Sequence, residues 1–330
     1  MKRKPQSPAS TAQKPKKSSE KNPELLSAGG QAVIEGVMIR SKKHLAIAVR
    51  KPNGKIAVQK ETLTSLLERH SWLNILFLRG IIYLFEMLIV GFRALNYSAN
   101  EALDDGTEDE DGKKEELSTF DLVITFVLAL GFAILLFKFL PLLIAQFIGS
   151  KSPFVKEHYW LFNLIDGLVR ILIFVIYLKI LSCIADIRRL FQYHGAEHQA
   201  VHCHEARLPL TVKNVQKFSP EHPRCGTSFI LIVLILSVFV YTFIPSMFGF
   251  WSKLGLRLLL LPVIAGISYE VLKVVGKYHS KNRFFRVLVW PGMLTQKITT
   301  RKPTNDMVEV AIMSLKTVLK MEKQKSNYSK

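Results

Sequence analysis

The sequence predicts a mainly α-helical, polytopic membrane protein, and three observations lead there. Four apolar blocks, 122–148, 160–184, 228–250 and 254–275, each reach the roughly 20 residues that cross a bilayer as a helix. Apolar residues make up 49% of the 330-residue chain, yet they are gathered into these blocks rather than spread as in a soluble domain. Basic residues are distributed unevenly around them. Segment 185–227 holds six and segment 273–302 holds eight with no acid, whereas 149–159 and 249–256 have only Lys151, Lys156 and Lys253. The positive-inside rule makes the first pair of segments cytosolic. About four transmembrane helices in the inner (cell) membrane, with both termini cytosolic, satisfy this pattern.

Taken in order, residues 1–27 form a basic tail. Its first 24 residues include seven Lys or Arg and no apolar run, so it reads as disordered, cytosolic and without a signal peptide. Residues 28–62 alternate short β-branched runs with the turn Pro52-Asn53-Gly54, which predicts a small cytosolic β meander. Residues 72–98 are apolar except for Arg79, Glu86 and Arg93, spaced by seven. One polar stripe on an apolar helix suits an interfacial or re-entrant placement, with a true span as the alternative. The acidic loop 100–117 carries nine carboxylates between 101 and 116, without the ligand spacing of a calcium loop.

Spans one and two occupy 121–184, and Asp166 and Arg170 inside the second stand at i and i+4, where a mutual ion pair relieves the cost of burial. A cytosolic loop fills 185–227. Spans three and four fill 228–276, with Arg257 and Glu270 near the ends of the fourth and expected to snorkel. The basic segment 277–330 closes with an amphipathic helix, in which Val308, Ile312, Leu315 and Leu319 share one face. That face needs a surface, and the meander is the nearest. The net charge of +19 suits anionic lipid headgroups, and specific nucleic-acid recognition is not needed to account for it. Three cysteines, two of them in a reducing cytosolic loop, predict no disulfides.

The chemistry concentrates between spans two and three. His194-Gly-Ala-Glu197-His198 has the order His-x-x-Glu-His, which in some zinc peptidases supplies two imidazole ligands and a carboxylate that activates water. At about 100° per residue, His194 and His198 lie within about 40° of one another on a helix, with His202 and Glu205 on the same stripe and Cys203 turned away. Residues 194 and 205 would be about 16 Å apart along the axis, so one ion uses only neighbours. Further ligands come from the His222-Pro-Arg-Cys225-Gly turn at the mouth of the third span. The expected metal ligands are His194, His198, His202, Glu205, His222 and Cys225. Zinc is the divalent ion best matched to this donor set, and manganese and iron are alternatives. Glu197 is the expected general base and Arg224 a second catalytic candidate. In a closed structural shell Glu197 would instead orient an imidazole, and a metal-free hydrogen-bonded network is the bland alternative to both. Glu35, on the meander, is a weaker candidate for the same site.

The segments GGQAVIEGVMIR (29–40), RGIIYLFEMLIVGFRALNYSA (79–99), YHGAEHQAVHCHE (193–205), LTVKNVQKFSPEHPRCGTSF (210–229), LPVIAGISYEVLK (261–273) and PGMLTQKITTRKP (291–303) together resemble the bacterial DUF1385 family, from about residue 28 to residue 320. The resemblance implies a multi-spanning membrane protein. It also implies a predicted metal-dependent enzyme, on motifs that here read His194, Glu197, His198, His202, Glu205, His222 and Cys225. The basic tail and the acidic loop are the least family-like parts.

Three functions stay open. The first is a metal-dependent hydrolase at the cytosolic face. The second is a non-enzymatic membrane factor that binds or regulates ribosome- or translocon-associated export and insertion machinery. The third, an ion transporter, is disfavoured by the lack of internal repeats. Neither the substrate nor the oligomeric state is readable, and no phosphate-cradling glycine loop or nucleophile elbow is present.

Overall fold

The computed structural model describes residues 28–104, 119–244, 247–278 and 282–328. The expected basic tail and most of the expected acidic loop lie outside the described residues. The described chain is mostly helical, with one four-stranded antiparallel sheet in the order β1-β2-β3-β4. The strands are β1 Gly29–Val33, β2 Gly36–Arg40, β3 His44–Arg50 and β4 Ile56–Thr62. Glu35 takes the left-handed φ of 50° that closes the tight β1–β2 turn.

Helix α1 is Leu78–Leu103. Helix α2 covers 119–151 as three consecutive segments, the middle one a π turn at Leu135–Phe139. Helix α3 is Tyr159–Leu181, α4 Ala185–Glu205, α5 Gly226–Tyr241, α6 Phe250–Leu259, α7 Leu261–Tyr278, α8 Arg283–Thr299 and α9 Asn305–Tyr328.

The two faces of the sheet explain why its central strands read as continuous apolar runs. Val37, Ile39, Ala46 and Ala48 point to one face, against Tyr193, Ala196 and Ala200 of α4 and Val308, Ala311, Ile312 and Leu315 of α9. The alternating residues Met38, Leu45, Ile47 and Val49 point to the other face, against Val90 and Ala94 of α1. The result is three layers, with the histidine-bearing helix fixed on one side by a core that includes the C-terminal helix. Burying both faces of β3 needs a second helix, and α1 supplies it.

This second role gives the polar stripe of residues 72–98 partners within the protein. Arg79 Nε and Nη2 donate to Glu270 of α7 at 2.6 and 2.5 Å. Glu86 accepts from Ser65 Oγ at 2.9 Å, and Arg93 pairs with Glu61 of β4 at 3.0 Å. Each residue of the stripe has a partner on another segment, although Arg93 stays 56% exposed, and the apolar Phe85, Leu88, Ile89 and Phe92 are uncovered as well. Gly266 on α7 lets α1 approach closely, since a Cβ there would meet Phe77 O at 2.7 Å.

The four expected spans appear as helices of differing length and continuity. Residues 124–151 form the one helix among those described that is long and apolar enough to cross a membrane alone. Helices α3 and α4 meet at 101°, and α6 and α7 at 42°, giving up to three spans if each bent pair counts as one. The bend after α6 has a local cause. Pro262 has no N–H for the carbonyl of Leu258, so the helical ladder is interrupted there. Helix α5 ends at Tyr241 after 16 residues, shorter than the expected 228–250 block.

Asp166 and Arg170 do pair within α3, but Arg257 does not snorkel. It is fully buried and donates to Asp166 at 2.8 Å. Glu270 is likewise held, by Arg79.

Candidate metal centre

Helix α4 leaves the apolar bundle at 101° and lays its second half beneath the sheet, so its polar residues face inward. Glu197, His198 and Gln199 are each 3% exposed. Glycine at 195 makes this fit attainable: a Cβ would lie 2.1 Å from the carbonyl oxygen of Arg301, in the strap that follows α8. That strap is pinned to α4, with Arg301 N donating to Phe191 O at 3.0 Å.

Two triads of ligand atoms stand side by side along α4. His194, His198 and Cys225 form one and His202, Glu205 and His222 the other, with the ligand atoms of each set within 4.8 Å of one another. The axial limit read from the sequence therefore appears as a division into two sets. His198 is the hinge of the row, its ring centroid 4.4 Å from that of His194 and 5.6 Å from that of His222.

Hydrogen bonding distinguishes the sets. His194 Nδ1 donates to Thr299 O at 2.8 Å and His198 Nδ1 to Pro220 O at 2.5 Å, which leaves each Nε2 as the ring's acceptor nitrogen, that of His194 facing the Cys225 thiol. An outer nitrogen bonded to a carbonyl is the usual way a protein fixes a metal-binding imidazole. Cys225 Sγ lies 3.2 Å from His194 Nε2 and caps the N-terminus of α5.

In the second set, His202 Nε2 donates to Glu221 O at 2.9 Å. His222 Nδ1 accepts from Arg224 N–H at 3.2 Å, which puts the ring proton on Nε2, facing Glu205 at 3.4 Å. Arg224 also ion-pairs with Glu205. A guanidinium already pairs with this carboxylate, so a metal at this set would compete with Arg224 for Glu205. Arg224 stands on Glu205 and not beside Glu197.

Burial sets the protonation states. It pushes His198 well below the ordinary imidazole range, reinforced by neighbouring His194, and lowers His202 and His222 as well. It raises Glu197 above the usual carboxylate range, against the pull of His194, His222 and the backbone N–H of Gly30. Burial also pushes the Cys225 thiol up to about 11, opposed by its hydrogen bonds with Thr227. A lowered His198 suits ligation through Nε2, and a cation would displace the thiol proton that Cys225 shares with His194. The N, N, S donor set with Glu197 alongside, its Oε2 3.5 Å from His198 Nε2, fits zinc.

Glu35 does not join the cluster. It binds Arg189 and accepts from Tyr193 Oη at 3.2 Å, which ties the β1–β2 turn to the preceding turn of α4. Gly30 is the part of β1 that reaches the site. Two glutamines escaped the sequence reading. Gln296 of α8, fully buried, accepts from His222 N at 2.7 Å and donates to His222 O at 2.9 Å. Gln199 donates to Phe218 O at 2.7 Å. Together they fasten the 218–222 loop over the histidines. The signal for Gln296 lay in the 291–303 segment, quoted for its resemblance and not for its chemistry.

No solved structure matches this chain. The uncharacterized protein YqhQ of Bacillus subtilis (strain 168) is 37% identical over 301 residues, covering 89% of this chain and 92% of that one. The profile of DUF1385, a family of proteins of unknown function, matches residues 75–321. With the match spanning α1 to α9 and including both triads, the chain belongs to the DUF1385 family.

Proposed function

We propose that this protein is a multi-spanning membrane protein with a zinc-class metal centre at its cytosolic face, acting as a metal-dependent hydrolase. The observation that carries the proposal is the first triad: His194 Nε2, His198 Nε2 and Cys225 Sγ converge with their outer nitrogens held by carbonyls, and Glu197 stands buried beside them. A divalent ion bound there would act as a Lewis acid on a water or a carbonyl. Glu197, whose carboxyl holds its proton more tightly than usual, is the group placed to take and return a proton. Arg224 and Glu205 shape the outer end of the row, where the side chains are more exposed.

The spans that fit this reading are α2, α3, α5 and the α6–α7 pair. They put the 185–225 and 282–305 segments on the basic, cytosolic side and Ser152 on the other.

One observation favours a second reading. Glu197, His198 and Cys225 are buried beneath the 218–222 loop and the strap after α8, as in a closed structural centre. The metal would then clamp the three-layer cytosolic unit to the mouth of α5, forming a platform for export or membrane-insertion machinery.

Glu197→Gln separates the two readings. In a hydrolase it abolishes function in cells while metal stays bound, whereas a platform tolerates it. Function retained with full metal content would overturn the enzymatic reading.

A further inference from the structure

Deep among the apolar helices, far from the histidine row, stands a second polar cluster. It is built from Lys138 of α2, Asn163, Asp166 and Arg170 of α3, Ser237 and Tyr241 of α5, and Arg257 of α6. Each of them is at most 7% exposed, and both arginines are wholly buried. Cys225 and Tyr241 bracket α5, so the two sites are separated by roughly 24 Å of helix at about 1.5 Å per residue.

The charges do not balance. Three cationic side chains face one carboxylate. Asp166 accepts from Arg170 Nη2 through one oxygen and from Arg257 Nη1 at 2.8 Å through the other. The neutral partners are already committed. Ser237 Oγ accepts from Arg170 Nη1 at 2.7 Å and donates to Leu234 O. Asn163 Oδ1 accepts from Arg257 Nη2 at 3.1 Å, while its Nδ2 donates to Tyr159 O. Tyr241 accepts from Lys138 Nζ at 3.0 Å and donates to Arg257 O.

Donors remain in surplus. Arg170 Nε and Arg257 Nε are buried without a hydrogen-bond partner, and the Lys138 ammonium has three protons for one bond. All three cations gather around the Tyr241 ring, at 5.4, 5.1 and 4.9 Å from its centroid. Lys138 arrives there because it sits on the π turn of α2, a feature that recurs at functional positions. Buried cations with unspent donors around a single carboxylate are costly, and charges inside apolar helices mark ligand positions.

We infer that this cluster binds a phosphate monoester or inorganic phosphate. An acceptor-only oxyanion takes up the spare guanidinium and ammonium donors, which match phosphate geometry. Two guanidiniums against one carboxylate leave about +1, and an anion beside Lys138 holds that amine in its charged form, which brings the cluster to about +2 against the −1.5 to −2 of a phosphate monoester at neutral pH; a phosphodiester lipid carries half of that. The inference rests on reading α2, α3, α5 and α6 as membrane helices, which cysteine labelling checks separately.

The test uses the full chain in detergent, titrated with inorganic phosphate, with phosphatidic acid as a lipid monoester and with phosphatidylglycerol as a phosphodiester. Native mass spectrometry and the thermal midpoint provide the two readouts. One phosphate or one phosphatidic acid per chain, with a saturable rise in Tm, is expected. Lys138→Met and Arg257→Gln should each weaken binding by about tenfold or more, the order of one charge-assisted hydrogen bond. Lys138→Met leaves both ion pairs to Asp166 intact and so guards against simple misfolding. Binding of phosphatidic acid alone assigns the phosphate to a lipid, and binding of both assigns it to the free ion as well. No saturable binding, equal binding by phosphatidylglycerol, or variants that bind like wild type would overturn the inference. Metal content should be unchanged in Lys138→Met, so failure here leaves the cytosolic centre untouched.

Discussion

Cys225 holds the most informative proton in the molecule. Its thiol is pushed up to about 11, so it is protonated at neutral pH until a cation arrives. Zinc binding at pH 7.5 should therefore release about one proton, measurable by calorimetry in buffers of different ionisation enthalpy, and Cys225→Ala should abolish that release. The histidines give a second, independent readout. His198, His202 and His222 are all held below the ordinary imidazole range in the folded protein, so the unfolded chain binds more protons as pH falls through about 6.5. Metal-free protein should lose stability from pH 7.5 to 5.5. The raised Glu197 works in the opposite direction, since the folded state binds its proton more tightly as pH falls. Glu197→Gln should consequently steepen the acid loss of Tm.

At the scale of elements, the row of histidines exists because α4 is covered by the 218–222 loop and the strap after α8, which approach it very closely. Gly195→Ala puts a methyl group 2.1 Å from Arg301 O, so the strap carrying Thr299 O must move. We expect a loss of about 1–3 kcal/mol by denaturant unfolding, with weakened metal affinity through the displaced His194 partner. The helical spacing of His194, Glu197 and His198 was legible in the sequence because it follows from one helix and its period. The division into two triads was not, because it depends on which carbonyls reach the rings, and those come from residues 220, 221 and 299. The same distinction explains α1. Its polar stripe was visible, but its partners Glu61, Ser65 and Glu270 come from three other segments, and only the folded arrangement shows that each stripe residue is paired.

For the whole molecule, the sequence conveyed a helical protein with a small antiparallel sheet, and the alternation in β2 and β3 shows why the sheet needed helices on both faces. The breaks in the apolar blocks were less legible. Pro262 stands inside the 254–275 block, which reads as one span in the sequence, and the 101° turn after α3 follows from α4 docking on the sheet, a tertiary effect. The proposed topology makes a direct prediction for cells. A cysteine introduced at Ser152 in a Cys183→Ser background should react with a membrane-impermeant maleimide from outside, and one at Asn214 should react only after permeabilisation. The reverse pattern would invert the placement of the histidine row.

Among these tests, the metal content of the detergent-purified protein addresses the central claim most directly. About one zinc-class ion per wild-type chain is expected, retained in Glu197→Gln and lost in His198→Ala and Cys225→Ala. A folded wild-type protein that stays metal-free when offered zinc, or a His198→Ala variant that binds as much as wild type, would contradict it.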